Sequence, residues 1–369
     1  MKKILIIVNS NIGYYFTRKE LMSELVNQGY QVYMASINDG FVEEIEALGV
    51  TYIETPYDRR GTSILQDHHL YKNYLQMLKK RKPDIVLAYT AKPNIYGNMA
   101  AHRLKIPVIA NITGLGDTFL KTGLLSHLVK FLYRTALKKT PVITFQNQDN
   151  VEIMRRANVL KNQRVVMLPG SGVNLEQYIA LPYPEETVEE IRFLFVGRYL
   201  HSKGIGELIT ATRNLKKQNK YNFKVTLIGY EDDDVIEKIK TAVAEGIVED
   251  CGFQKDVLPF LEQAHCMVLP SYSEGTSNAL LEAAASARPL ITTNTGGCRE
   301  TVDDGVSGFL CEVADATGLE KCMERFLTAS HADRVRMGQA SRRKMEQTFD
   351  RKIVIEIISN EIKTMLQEA

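Results

Sequence analysis

Pro270-Ser271-Tyr272-Ser273-Glu274-Gly275-Thr276-Ser277-Asn278-Ala279-Leu280-Leu281-Glu282-Ala283-Ala284-Ala285 follows a short apolar run at residues 267–269. A strand, a small polar loop and an Ala/Leu-rich helix make a ligand-binding βα turn. Thr276, Ser277 or Asn278 has the short polar side chain that caps a helix. The free N–H groups and positive dipole end of that helix suit a phosphate without a metal. Glu274 precedes the helix and Glu282 lies along it. At helical rise the two stand ~12 Å apart, the span of two polar ends of one ligand flanking a diphosphate. Taken singly, Glu282 also reads as a solvated helical glutamate and Glu274 as a partner of the helix dipole.

Upstream, an apolar strand at 192–196 runs into Gly197-Arg198-Tyr199-Leu200-His201-Ser202-Lys203-Gly204. Gly197 lets the chain turn just past a strand end, where ligands of parallel sheets sit. Arg198 and Lys203 can converge there on one anion. A solvated turn is the plainer reading of this segment alone.

Farther out, short apolar runs alternate with helical spacing. Residues 4–8, 32–36, 85–89, 108–111, 142–146 and 165–168 read as buried strands, and 15–28 and 71–80 as helices between them. A second series has strands at 192–196, 224–228, 267–269 and 290–293. Alternation of this kind implies parallel βαβ units. Leu181-Pro182-Tyr183-Pro184-Glu185-Glu186 interrupts it and reads as a linker. The expected domains are therefore 1–180, 181–350 and a final helix, 351–369, that crosses back to the first domain. The fold class is α/β, two Rossmann-like domains facing each other across a cleft.

A chain of 369 residues, 44% hydrophobic and 24% charged, is long enough for two cores. It has no apolar run long enough to span a bilayer. The run at 4–8 is too short for a signal peptide and reads as a first strand. Five scattered cysteines, without a Cys-x-x-Cys pair, suggest reduced thiols rather than disulfides or zinc. Residues 1–180 carry 23 Lys and Arg against 14 Asp and Glu, and residues 181–369 carry 23 against 30. The basic half suits a phosphorylated acceptor or an anionic membrane surface. Nucleic acid fits less well, because the basic residues lack interleaved surface aromatics. Glu231-Asp232-Asp233-Asp234 imitates a metal-binding Asp-x-Asp site, but acidic residues ahead of a helix satisfy its dipole, and no metal is expected.

Gly197-Arg198 with Lys203-Gly204, followed by Glu274-x7-Glu282, resembles the retaining glycosyltransferases of family 4, which have the GT-B fold. Thr90-Ala91-Lys92-Pro93-Asn94-Ile95-Tyr96-Gly97 and Asn111-Ile112-Thr113-Gly114-Leu115-Gly116 resemble a branch that builds bacterial capsule and other surface glycans on undecaprenyl diphosphate. That branch includes N-acetylgalactosaminyltransferases acting on lipid-linked diacetylbacillosamine. The resemblance implies transfer of a hexose or N-acetylhexosamine from a UDP-sugar, with no cofactor, to a lipid diphosphate-linked saccharide. It places such an enzyme in the cytoplasm, peripheral on the inner membrane. Arg198 and Lys203 would hold the donor diphosphate, and Gly197, Gly275, Thr276, Ser277 and Asn278 would line the donor loop. Glu282 would accept from the ribose and Glu274 from the transferred sugar, which makes Arg198, Lys203 and Glu274 the catalytic set. Gly13, Tyr14, Arg59, Arg60, Lys92, Thr113 and Gly114 would face the acceptor.

Many relatives carry a histidine near the position of Thr113. This chain has Thr113-Gly114 there, and His102 and His127 read as surface helix residues, so no catalytic histidine carries over. Residues 123–139 combine many leucines with Lys130, Arg134, Lys138, Lys139 and nearby Lys121. They read as a basic amphipathic helix lying on a membrane, or equally as a core-facing helix. Two other functions fit the same fold: a UDP-sugar epimerase, and a nucleotide-sugar-binding subunit without activity.

Overall fold

The computed structural model describes residues 1–58, 61, 63–116, 119, 123–187, 189–230 and 235–368. Arg59, Arg60, Lys121 and Glu231 to Asp234 lie outside the described residues.

The chain forms two units, residues 1–171 with 352–369, and residues 172–351. Unit 1 alternates β1 (Lys3–Ile7), α1 (Asn11–Asn27), β2 (Gln31–Ser36), α2 (Val42–Ala47), β3 (Thr51–Glu54), α3 (Ile64–Arg81) and β4 (Ile85–Tyr89). A π-helical turn, Pro93–Gly97, then leads into α4 (Asn98–Arg103), β5 (Val108–Ile112), α5 (Leu124–Leu137), β6 (Val142–Phe145), α6 (Gln148–Arg156) and β7 (Arg164–Met167). The strands are parallel, in the order β3-β2-β1-β4-β5-β6-β7. β1, β4, β5 and β6 are almost wholly buried. Helices cover both faces, which is why these strands read as continuous apolar runs.

Unit 2 repeats the plan with β8 (Ile191–Val196), α7 (Ile205–Lys217), β9 (Phe223–Ile228), α8 (Ile236–Ala244), β10 (Glu249–Asp250), α9 (Leu258–Gln263) and β11 (Cys266–Leu269). It continues with α10 (Asn278–Ala285), β12 (Leu290–Thr293), β13 (Gly308–Cys311), α11 (Ala316–Thr328) and α12 (His331–Lys344). Its sheet order is β10-β9-β8-β11-β12-β13. Each sheet therefore reverses direction beside its own first strand, between β1 and β4 and between β8 and β11. Such a reversal opens a crevice at the carboxyl ends of the strands.

The last helix, α13 (Arg351–Glu368), returns to unit 1. Val354, Ile358, Ile362 and Met365 recur at helical spacing and pack with Ile4, Ile6, Leu21 and Leu25. Arg164 pairs with Glu361.

Residues 181–186 do not act as the expected linker, and the units part at Ser171/Gly172. Val173 N–H donates to Phe349 O at 2.8 Å, and Arg351 N–H to Val173 O at 3.0 Å, so the chain joins unit 2 from Gly172 onward. Arg288 donates to Pro182 O at 2.7 Å and Tyr183 to His265 O at 2.9 Å, which fastens the proline segment along unit 2.

Candidate functional site

In unit 2 the loops after β8 and β11 meet at the sheet reversal. Gly204 has φ +72°, and a Cβ there would lie 2.1 Å from Pro270 O, so only glycine lets the two loops touch. Tyr272 N–H donates to Ser202 O at 2.8 Å, and Ser271 Oγ to the same oxygen at 3.2 Å. Tyr272 also donates its hydroxyl to Glu207 at 2.7 Å. This lattice brings together two residues 71 positions apart: Lys203 Nζ donates to Glu274 Oε1. Their side chains are mostly buried, so the pair is far less screened than a surface bridge. Arg198, on the same loop, is exposed.

The loop after β12 presses in from the other side. Gly297 has φ +84°, and a Cβ there would lie 2.5 Å from Gly275 O and 2.7 Å from Glu274 O. Ser277 N–H donates to Gly297 O at 3.1 Å. Gly296 and Gly297 were not among the expected site residues. Two glycines just past a strand are the signal that singled out Gly114 and Gly116, and it applies to them equally.

Two helix N-termini open here. Ser277 is the cap of α10, its Oγ accepting from Leu280 N–H at 3.4 Å, so of the three candidate caps the structure uses this one. The other is α7, which begins at Gly204 with no side-chain cap. Its first amide groups stand beside Lys203, the arrangement that binds anions. Asn278 Oδ1 is buried with no hydrogen-bond partner among the described residues.

Because α10 begins at Asn278, Glu274 sits in a non-helical loop and Glu282 only one turn into the helix. A helical rise therefore does not measure their separation. Burial pushes the Glu282 carboxyl up to about 7, against the opposing pull of Arg351 and of a hydrogen bond with Tyr178. Tyr178 itself is raised by burial and by the glutamate. Arg342 donates to Tyr178 O at 2.7 Å and Ala285 O at 2.8 Å, which ties the Tyr178 segment to the end of α10.

The acceptor-side residues do not assemble in the same way. Gly13 lies inside α1, its N–H donating to Ser10 Oγ at 3.2 Å; its conformation is helical, and no close backbone approach depends on it. α1 starts at Asn11, four residues before the expected helix. Tyr14 is thereby turned inward, 6% exposed, its ring edge-on to Tyr89 at 4.9 Å. It is a core residue rather than a contact for acceptor. The N-terminus of α1 is occupied by the Asp39 carboxylate, which accepts from Asn11 N–H at 3.0 Å and Ile12 N–H at 3.1 Å. Lys92 donates to Asp67 at 2.8 Å and Asp58 O at 2.9 Å. Thr113 and Gly114 follow β5, and Gly114 has φ +149°. His127 is exposed as expected, whereas His102 is half-buried, and burial with the charge of Lys139 lowers its pKa.

Comparisons with known proteins agree with this architecture. Residues 3–147 match the family model described as glycosyl transferase 4-like, and residues 190–329 match glycosyl transferases group 1. The chain is 26% identical, across 83% of its length and 84% of the relative, to N,N'-diacetylbacillosaminyl-diphospho-undecaprenol alpha-1,3-N-acetylgalactosaminyltransferase of Campylobacter jejuni. It is 25% identical, over 69% of both chains, to UDP-Gal:alpha-D-GlcNAc-diphosphoundecaprenol alpha-1,3-galactosyltransferase of Escherichia coli. Sucrose-phosphate synthase from Thermosynechococcus elongatus superposes over the whole of both chains, with a TM-score of 0.83 at 18% identity. The chain belongs to the glycosyltransferases of the GT-B fold, with a glycosyl transferase 4-like first domain and a group 1 second domain.

Proposed function

We propose that this glycosyltransferase moves a hexose or N-acetylhexosamine from a UDP-sugar to a saccharide carried on a lipid diphosphate, with retention of anomeric configuration and without a metal. The observation that carries the reading is the junction of Lys203 and Glu274 beside the uncapped N-terminus of α7. Arg198, Lys203 and these backbone amides hold the donor diphosphate and stabilise charge on the departing nucleoside diphosphate. Preorganised charge of this kind is worth ~3 kcal/mol per group. Glu282 accepts from the ribose diol, and Glu274 from hydroxyls of the transferred sugar. In front-face transfer the leaving phosphate oxygen takes the acceptor proton, so Thr113 in place of a histidine is compatible with turnover. The names of the relatives above support a UDP-sugar donor and an undecaprenyl diphosphate-linked acceptor. Among the described residues no helix is long and apolar enough to cross a membrane. An enzyme with such an acceptor works at the cytoplasmic membrane face as a peripheral protein.

A screen of UDP-sugars with lipid extract, reading released UDP and the anomeric configuration of the lipid product, tests the proposal. Lipid-dependent consumption of one UDP-sugar, undiminished by a chelator, is expected. An inverted product would overturn the stereochemical part, and release without lipid would overturn the acceptor.

A further inference from the structure

In unit 2 the loop after β12 carries two consecutive glycines, Gly296 and Gly297, and their backbones hold the Glu274 loop from behind. Glu274 N–H donates to Gly296 O at 3.4 Å, and Ser277 N–H to Gly297 O at 3.1 Å. Thr295 adds a third bond, its hydroxyl donating to Tyr272 O at 3.2 Å. Residues 272–277, which include Glu274 and the cap of α10, therefore rest on residues 295–297. The bond to Lys203 restrains the Glu274 side chain, and this loop restrains its backbone.

Two glycines in a row are a poor support by themselves. Glycine enters left-handed and right-handed backbone about equally readily, so Gly297 does not choose its own φ of +84°. A residue with a side chain cannot replace it, because a Cβ would strike Gly275 O and Glu274 O. The bend is therefore selected by a group outside the two glycines.

Glu300 is placed to select it. Gly297 N–H donates to Glu300 Oε2 at 2.7 Å, the length of a charge-assisted bond. A short 3₁₀ turn, Arg299–Thr301, carries the glutamate back over the glycine. Cys298 N–H and Arg299 N–H both donate to Thr295 O, at 3.1 and 3.0 Å, and the Thr301 hydroxyl donates to Cys298 O at 2.7 Å. A glutamate reaching back three residues to a backbone N–H is one half of a capping box. The ion pair of Glu300 with Arg299, at 3.9 Å, is long and adds little beside it. We infer that Glu300 is a positioning residue for sugar transfer: by holding Gly297 in its bend it sets the place of Glu274 and of the α10 N-terminus, without touching the donor. The inference rests on the donor reading above, in which Glu274 takes hydroxyls of the transferred sugar. A misplacement of ~1 Å at such a contact can cost up to ~10²-fold in rate.

The test compares Glu300→Ala with Glu300→Gln in the full chain. Hydrogen–deuterium exchange across residues 272–281, measured without ligand, reads the restraint directly. Glu300→Ala should speed exchange there roughly tenfold, the loss of one charge-assisted bond. Glu300→Gln, whose amide oxygen still accepts from Gly297, should stay within about threefold of the wild type. With the UDP-sugar that the enzyme consumes, Glu300→Ala should lower kcat roughly tenfold and Glu300→Gln about twofold. The Kd for UDP, which lacks the transferred sugar, should change less than about twofold in both. Wild-type exchange in Glu300→Ala overturns the proposal. So does a glutamine variant as impaired as the alanine variant, which would put the carboxylate charge on the donor itself. Equal losses of kcat and UDP affinity, with a lowered thermal midpoint, assign Glu300 to the stability of unit 2 and also overturn it. If the wild type consumes no UDP-sugar but the exchange contrast appears, the donor reading fails and the loop restraint stands. Full turnover by both variants, with wild-type exchange, does the reverse.

Discussion

The first βα turn of each unit lies at the same place in the same topology, yet the two turns are built oppositely. After β1, Ser10 caps α1 and Asp39 fills the remaining amide positions. After β8, no side chain caps α7, and its N-terminus stands beside Lys203. A helix start with its amides left open is an anion site, and one satisfied by its own carboxylate is a rigid wall. The same contrast recurs one strand over. Lys92 after β4 is held by Asp67, in a loop with no glycine forced against its neighbours. Glu274 after β11 is held by Lys203, among loops that only glycines allow to touch. On the proposed reading, unit 2 receives the anionic donor at this junction. Unit 1 fills the corresponding positions with its own carboxylates, Asp39 and Asp67, and has a mainly apolar cavity of about 1110 Å³ between its helices.

The largest effect is expected where the contrast is sharpest. Lys203→Ala and Glu274→Ala should each lower kcat/KM ~10²- to 10³-fold. Their double variant should fall little further, because the two act as one unit. Steady-state kinetics with a working donor and acceptor checks this. A double variant whose loss equals the product of the single losses would mean that the pairing has no part in turnover.

Glycines supply the next test. Gly204→Ala would drive a Cβ onto Pro270 O and force a side chain into left-handed backbone, costing about 3 kcal/mol. Gly116 also has a positive φ, +70°, but a Cβ there meets nothing within 4 Å. Gly116→Ala should therefore cost only about 1 kcal/mol. Chemical denaturation of both variants measures the difference, and equal costs would deny that the unit 2 loops are locked by close approach.

These glycines also show how far the sequence could be read. The strands are legible because a strand buried on both faces must be apolar throughout, and Gly197, Gly204 and Gly275 are legible because they follow strands directly. The inward turn of Tyr14 was not legible. It depends on α1 starting at Asn11, which Asp39, 28 residues away, secures through the Asn11 amide. The pairing of Lys203 with Glu274 is likewise hidden, since nothing local in the sequence records a partner 71 residues off. The leucines of α5 are plain in the sequence, but which of them line the cavity of unit 1 is decided by α3 and α4.

Glu282 gives a smaller, pH-dependent effect. Burial raises it from 4.5 to about 7, so the folded chain holds this proton more tightly than the unfolded one. The stability cost of ionising it is absent below about pH 4.5, grows as pH rises, and is complete above about pH 7. The ionised form is the better acceptor for a diol. UDP-sugar affinity should therefore strengthen up to about tenfold as pH rises through 7. Tyr178→Phe removes a hydrogen bond that favours the carboxylate, and should move the midpoint to higher pH. Calorimetric titration across that range decides it, and a midpoint unmoved in Tyr178→Phe would remove Tyr178 from the donor site.

The mildest test converts one turn into the likeness of the other. Asp39→Ala strips the carboxylate from the start of α1 and leaves Ser10 as its cap. The loss of three charge-assisted bonds, from Ser10 Oγ, Asn11 N–H and Ile12 N–H, partly compensated by water, should cost about 1–2 kcal/mol in chemical denaturation. UDP-sugar affinity should stay within about twofold, because the donor phosphate chemistry belongs to unit 2 and Asp39 acts only as filling. Gly13→Ala is the matched control within the same turn. Its backbone is helical and the nearest atom to a new Cβ is Ser10 Oγ at 3.5 Å, so it should be neutral or stabilising by about 0.5–1 kcal/mol. If Asp39→Ala instead weakened donor binding as strongly as Lys203→Ala, the first turn of unit 1 would be part of the phosphate site, and the opposition between the two turns would collapse.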